Sequence, residues 1–404
     1  MTADVETGSV IDGRFELEEP LGSGGLATVW RATDRETGWP AAVKCENVGE
    51  HDREQVRAHF RQELRWFRRF EDGPVPGSLV HFLDGAVREG TVYVATELIE
   101  GASLETAVET DVTPGIEAVR TVGGPVCRAL AYLHRNGVVH LDSKPNNVLC
   151  RRRGPPAVID LNAAVSTGEE TGTLFHADPF KPPELTPTDA RDERTGPWSD
   201  VYALGVLIAY LLTGETVGFE SASIAEWRPV DPRVDGHDCP PELAAVIRQA
   251  TEPRPQGRFV DADALYTALR SVLEGDDRSA RLHHDQSGLT VRVDDGTTIG
   301  RWTPDSRVPD VVVPDDDRFV SPDHAVFALE DGAWVLRDRS LNGTVVRTGA
   351  ETAYVLSSEG RTRQQEERGG LSRPDPEPSI RLSDGDRITP VHPDYAPTLE
   401  FRTG

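Results

Sequence analysis

The chain has 404 residues, with 68 acidic against 43 basic side chains and a formal net charge of −25. That acidity excludes DNA or anionic lipid as the main partner, because both demand basic patches. A hydrophobic share of 37% is low but still globular, and the length suits two or three domains, each able to bury a core.

The acidic excess is spread along the chain: −17 over residues 1–275 and −8 from Asp276 onward. A spread excess is the mark of a solvated surface rather than a charged tail, and it predicts a halophilic protein in a salty cytosol. Basic charge is almost all arginine; the lysines are Lys44, Lys144 and Lys181 alone. Four scattered cysteines, Cys45, Cys127, Cys150 and Cys239, read as free thiols in a reducing compartment. Residues 1–13 are polar, without a signal-peptide pattern, and the longest apolar run, Ala203 to Leu212, is half a bilayer span. The expected location is cytoplasmic, with no membrane and no nucleic-acid partner.

Residues 1–14 form an N-terminal tail. From residue 15 to about 98 the pattern is mostly strands: Phe15-Glu-Leu-Glu, then a glycine cluster, Ala27-Thr-Val-Trp-Arg and Pro40-Ala-Ala-Val-Lys. One helix interrupts them over Arg53–Phe70, with Phe60, Leu64 and Phe67 at helical spacing. Residues 102–273 are mainly helical. The pattern stops at Glu274-Gly-Asp-Asp, which predicts a linker over 274–286. From 287 to 404 short alternating strands separated by turns predict a β-sandwich. Residues 349–378 are rich in Arg, Glu, Gly and Pro and read as a mobile loop inserted between strands.

The first chemical constellation starts at Gly22-Ser23-Gly24-Gly-Leu-Ala27-Thr-Val29. Glycines let a backbone approach phosphates and offer them N–H groups, although a plain hairpin turn has the same composition. Lys44 ends the apolar strand Ala41-Ala42-Val-Lys44 and needs a carboxylate partner. Glu63 lies between core-facing Phe60 and Phe67 on the following helix and can reach it, although a solvated helix position would also suit it. The segment Val138-Val-His140-Leu-Asp142-Ser-Lys144-Pro-Asn-Asn147-Val-Leu149 brackets a polar run with apolar flanks. Asp142 can take a hydroxyl proton, Lys144 can sit beside a phosphoryl group and Asn147 can hold a divalent cation. Asp160, after Ala157-Val-Ile, adds a hard oxygen ligand suited to Mg²⁺. Phosphoryl transfer needs this kit of positioning, charge neutralisation and base.

In this order the motifs resemble those of the eukaryotic-like serine/threonine protein kinases over about residues 15–273, completed by Pro182-Pro-Glu184, Asp200-Val-Tyr-Ala-Leu-Gly205 and Arg258. The resemblance implies an α+β two-lobed fold, with an N-lobe over about 15–98 and a C-lobe over about 102–273. It implies ATP and Mg²⁺ as cofactors. Gly22, Ser23, Gly24, Val29, Ala42, Lys44, Glu63, Glu97, Ile99 and Leu149 would surround the nucleotide, with the hinge at Glu97-Leu-Ile99. Asp142 and Lys144 would be catalytic, and Asn147 and Asp160 would hold the metal. Glu184, Arg258 and Asp200 would be structural. Three positions depart from the family. Ala27 replaces the third loop glycine. Asn162 replaces the glycine of Asp-Phe-Gly and is expected to take its positive φ. Leu141 replaces the arginine that grips a phosphorylated activation segment. Thr167, Thr171 and Thr173 remain candidate autophosphorylation sites.

A second constellation gathers Gly300-Arg301, Ser321-Pro-Asp-His324, Ser340-Leu-Asn342-Gly343 and Gly385-Asp386 on the strand pattern. A guanidinium, hydroxyls and an amide on loops suit an anionic peptide, while Asn-Gly alone is also a tight turn. Together they resemble the forkhead-associated (FHA) domain over about 287–404. The resemblance implies phosphothreonine binding by Arg301 and Ser321, peptide-backbone binding by Asn342, and a lesser part for Ser340. Pro322 stands where many members carry arginine. His324 reads as a loop brace. Arg151-Arg-Arg153 reads as a solvated hairpin tip and Asp315-Asp-Asp317 as an exposed turn.

The expected function is a serine/threonine kinase acting on protein hydroxyls, fused to a module for phosphothreonine proteins or its own phosphorylated segment. The departures leave a second reading, a pseudokinase scaffold with a working FHA domain. A small-molecule kinase is a third, disfavoured by Lys144 and the Asp200–Gly205 helix.

Overall fold

The computed structural model describes residues 5–24, 27–46, 53–88, 91–167, 179–185, 195–216, 227–275, 278–315, 317–368, 377–394 and 396–403. Alternating burial along Ala27–Asp34 and Pro40–Glu46 explains why these segments are strands. They belong to a six-stranded antiparallel sheet in the order Val10–Ile11, Phe15–Ser23, Ala27–Asp34, Pro40–Glu46, Thr91–Glu97, Phe82–Arg88. The expected N-terminal tail therefore supplies an edge strand. One face of the sheet buries Phe15, Leu17, Trp30, Val43 and Tyr93. Phe60, Leu64 and Phe67 of the Arg53–Phe70 helix belong to the largest core of the molecule.

The helical part is built around Pro197–Thr213, which is apolar on every side and buried over most of its length. It ends at Gly214, whose left-handed conformation (φ 82°) closes the last turn. Gly124–Arg135, Pro241–Ala250 and Ala262–Glu274 contribute to the same core.

The C-terminal part supplies all six strands of one sheet and five of a second, whose inner faces share Leu282, Phe327, Leu336, Val346 and Phe401. Its first strand, Ala280–His283, lies inside the segment expected to be a linker. It pairs on both sides, with Thr290–Val293 and Leu399–Thr403. The 349–378 segment is also not the expected mobile loop throughout. Glu351–Val355 is a strand paired with Thr344–Thr348, and Ser358–Arg368 is a helix. Buried Val355 and Leu356 anchor it, and the Ser357 hydroxyl donates to the Ser340 carbonyl.

The two parts are joined by more than the covalent link. Val75–Pro76 of the kinase-like part pairs with Val311–Val312 and so extends a sandwich sheet. Arg128 pairs with Asp310 at 3.2 Å, Arg270 with Asp294 at 2.8 Å and Arg292 with Asp263 at 2.9 Å. Among the described residues no helix is long and apolar enough to cross a membrane.

Candidate functional site

The glycine-bearing segment lies on the paired strands Phe15–Ser23 and Ala27–Asp34. Gly22 faces Val29 and Ser23 faces Thr28 in register, and the Gly24 N–H donates to the Ala27 carbonyl at 2.9 Å. A Cβ on Gly22 would meet nothing within 4 Å, so packing does not demand glycine there. The next register places Val29 opposite Lys44, and the one after places Ala42 opposite Thr96 and Lys44 opposite Val94. Val29, Ala42, Ile99 and Leu149 all keep partial exposure.

Lys44 reaches across to two carboxylates, Glu63 at 3.1 Å and Asp160 at 3.4 Å. Burial works against the ammonium, but the two carboxylates outweigh it and hold the Lys44 pKa above the ordinary lysine value. Burial, reinforced by Asp160, pushes the Glu63 carboxyl up to about 7 in spite of Lys44.

Asp142 is gripped from two sides. Lys144 Nζ lies 3.0 and 2.9 Å from its carboxylate oxygens, and Asn147 Nδ2 donates to Oδ2 at 2.7 Å and to its carbonyl at 2.8 Å. The Ile159 N–H donates to the Asn147 carbonyl at 2.9 Å, which sets Asp160 beside the loop. The loop is held from below by Asp200. Its fully buried carboxylate accepts from the backbone of His140 and Leu141, each at 2.7 Å, and from His134 Nε2 at 2.9 Å. Burial opposes ionisation of Asp200, but these bonds keep its pKa below the usual carboxylate range.

The left-handed turn expected at Asn162 falls elsewhere. Asp160 (φ 66°) and Leu141 (φ 64°) take that conformation, and Asn162 does not. Asp160 Oδ1 accepts from the Asn162 N–H at 3.1 Å, which fixes the bend two residues earlier. Leu141, in place of arginine, is buried in a small cluster with Val139, Val165 and Leu185. Glu184 and Arg258 form a fully buried pair at 2.7 and 2.9 Å. The Thr167 N–H donates to the Gly137 carbonyl; Thr171 and Thr173 lie outside the described residues.

Glu97 behaves differently from a simple hinge residue. Its side chain is buried and accepts from the His81 N–H at 2.9 Å, from Arg151 and from Trp302 Nε1 at 2.9 Å. Arg151 is thus no solvated tip: its side chain is 5% exposed and also donates to the carbonyls of Gly77 and Pro155. Trp302, from the sandwich, stacks on His81 at 4.7 Å and meets Trp39 edge-on at 5.5 Å. Sequence reasoning missed this contact, because its partners are some 205 positions apart and share no local pattern.

In the sandwich the Arg301 N–H donates to the Ser321 carbonyl at 3.2 Å, and the Arg301 Nε is buried without a hydrogen-bond partner. A Cβ on Gly300 would sit 2.0 Å from the Pro322 carbonyl oxygen, so this close approach requires glycine. Ser321 Oγ accepts from the Leu341 N–H at 3.4 Å, and Asn342 Nδ2 donates to the Phe319 carbonyl at 2.8 Å. His324 is fully buried. Burial lowers its pKa to about 4, so it is neutral at pH 7. Its Nδ1 accepts from the Ser321 N–H and its Nε2 lies 3.1 Å from the Gly343 carbonyl, which selects the Nε2–H tautomer. Ser340 is also fully buried, its hydroxyl bonded to Asp338 and to the Gly343 N–H. The structure therefore sets Ser340 inside the loop, apart from the face that holds Arg301.

Residues 15–235 match the protein kinase domain, and residues 297–360 match the FHA domain. Serine/threonine-protein kinase PknL of Mycobacterium bovis is 32% identical over 286 residues, covering 68% of this chain and 69% of that protein. PknL of Mycobacterium tuberculosis matches to the same extent. Serine/threonine-protein kinase PknB of Mycolicibacterium smegmatis is 28% identical over 284 residues, 65% of this chain and 43% of that protein. With over half its length matched to the catalytic domain and an FHA domain beyond it, the chain belongs to the protein kinase family.

Proposed function

We propose that this kinase transfers the ATP γ-phosphoryl group to serine and threonine hydroxyls of proteins, and that its FHA domain binds phosphothreonine peptides. The observation that carries the first part is the paired arrangement of Lys44 on Glu63 and Asp160 with Asp142 on Lys144 and Asn147. Lys44 would hold the α- and β-phosphates, steered by Glu63. Asp142 would accept the hydroxyl proton as attack proceeds, and Lys144 would steady the phosphoryl oxygens. Catalysis of this kind is mostly positioning and charge neutralisation.

The donor chemistry fits Mg²⁺. Asn147 commits its amide nitrogen to Asp142, so its side-chain oxygen is the atom it would offer a cation. Asp160 gives Oδ1 to Lys44 and the Asn162 N–H, with its second oxygen left for a hard cation. Bound there, the metal would neutralise phosphate charge. A compact ammonium fits between phosphates where a planar guanidinium does not. An arginine-rich chain that keeps lysine at 44 and 144 is in accord with turnover rather than a silent scaffold.

The FHA reading rests on Arg301, whose buried Nε has no hydrogen-bond partner and whose backbone N–H donates to the Ser321 carbonyl, with the Leu341-Asn342 loop bonded to the same Phe319–Ser321 segment. The acidic surface accords with a salty cytoplasm, tested by whether melting temperature rises steadily from low to molar salt. For the kinase activity, the test is radiolabel transfer from Mg-ATP to the protein itself or a generic substrate. Asp142→Asn should lower the rate by a factor of about 10²–10⁴. Folded wild-type protein that transfers nothing refutes the reading.

A further inference from the structure

A cavity of about 260 Å³ opens between the two parts of the molecule. The sandwich contributes Arg301, Trp302, Asp315 and Arg318 to its walls, and the kinase lobe contributes Arg14 and Trp39. The three arginines are in different states. Arg14 is committed to Asp34, Glu36 and Asp84. Arg301 and Arg318 form no ion pair among the described residues, in a chain of net charge −25, and the Arg301 Nε has no hydrogen-bond partner. The Arg318 guanidinium instead lies over the Trp39 ring, 4.7 Å from its centroid. Burial holds the Arg301 pKa below the ordinary arginine value, with Arg318 adding to this and Asp315 opposing it. The two guanidiniums therefore feel each other, and an anion between them would relieve both the repulsion and the buried, unpartnered Arg301 Nε.

We propose that the space bounded by Arg301, Arg318 and Trp39 is a composite phosphothreonine-peptide site, in which Arg318 supplies a second phosphate cation and the kinase lobe supplies one wall. The proposal rests on the FHA reading of Arg301 and extends it in two ways. Arg318 takes the part that the arginine absent at position 322 would have played. Trp39, from the Thr33–Pro40 turn of the other lobe, holds that arginine in place through its ring face, so less side-chain freedom is lost when phosphate arrives. The site then exists in full only when the two parts are docked.

The test uses the full-length protein and fluorescein-labelled degenerate phosphothreonine peptides, with phosphoserine and unphosphorylated counterparts as controls, read by anisotropy. Arg318→Gln should weaken phosphothreonine binding about tenfold, and Trp39→Ala about three- to fivefold although it lies in the kinase lobe. Arg301→Ala should abolish binding. Wild-type affinity in Arg318→Gln or in folded Trp39→Ala overturns the composite site. Arg318→Gln, an exposed position, decides the matter alone if Trp39→Ala does not fold. If Arg301→Ala abolishes binding while the other two bind normally, the FHA reading stands and only the composite site falls. If the wild-type protein binds no phosphopeptide, both fall.

Discussion

Replacing Trp302 with phenylalanine isolates one bond. The Trp302 Nε1–H donates to Glu97 Oε2 at 2.9 Å in a buried setting, and phenylalanine keeps an aromatic ring against His81 and Trp39 while deleting the donor. Glu97 Oε1 retains the His81 N–H and Arg151, so the carboxylate is not left bare. A hydrogen bond to a charged acceptor contributes about 1.5–3 kcal/mol. At about 1.4 kcal/mol per decade, that corresponds to a factor of about 10–150 in the local opening equilibrium. Hydrogen exchange of peptides spanning residues 94–100 and 299–313 should therefore quicken by that factor in the variant. The global fold should persist, because Arg128–Asp310, Arg270–Asp294 and the strand pairing at Val75–Pro76 are untouched. Exchange rates equal to wild type in both peptides would refute the claim that this bond couples the sandwich to the Glu97 segment.

Glu184→Ala should cost about 3–5 kcal/mol in urea unfolding, since it strands the buried Arg258 guanidinium; a loss below about 1 kcal/mol would contradict it. Asp200→Ala leaves the backbone N–H groups of His140 and Leu141 without their acceptor. It should lower kcat at least tenfold, by letting Asp142 drift, with the KM for ATP changed less than about twofold. An unchanged kcat would show that the loop holds its shape without Asp200. Acidification should loosen the interface at His81. Burial lowers its pKa from 6.5 to about 4, against Glu97 and with Arg151 adding. The folded state thus binds this proton less readily than the unfolded chain. The stability it contributes is complete above about pH 6.5 and is lost as pH falls toward 4. Melting temperature between those limits should fall less steeply in His81→Gln than in wild type, and parallel curves would exclude His81 as the cause.

The contacts of the candidate kinase site were legible because phosphoryl-transfer chemistry calls for certain residue types at fixed spacings. Lys44, Glu63, Asp142, Asn147 and Asp160 are drawn together from four segments, and each could be named without coordinates. The Arg53–Phe70 helix was legible because one face repeats Phe60, Leu64 and Phe67. What stayed hidden depends on partners distant in sequence. Arg151 looks like any arginine in a basic run until Glu97 and two carbonyls converge on it. The Ala280–His283 strand is too short and too mixed to declare itself; pairing on both sides makes it a strand. The left-handed position moved from Asn162 to Asp160 because a side-chain bond, not residue preference, sets the bend. Polar composition concealed the Ser358–Arg368 helix, whose anchor is the apolar pair just before it.

The pairing of Val75–Pro76 with Val311–Val312 has a consequence for handling the protein in pieces. An open sheet edge is a template for joining a second sheet, and folded proteins hide or blunt such edges. Here a segment from the other lobe hides the edge, and Pro76, which has no N–H to offer, ends the ladder. Excising the sandwich would uncover Val311 and Val312 together with the apolar ring of Trp302. The separated fragment should then self-associate through that edge, and its solution behaviour would reflect a surface that the intact chain never exposes.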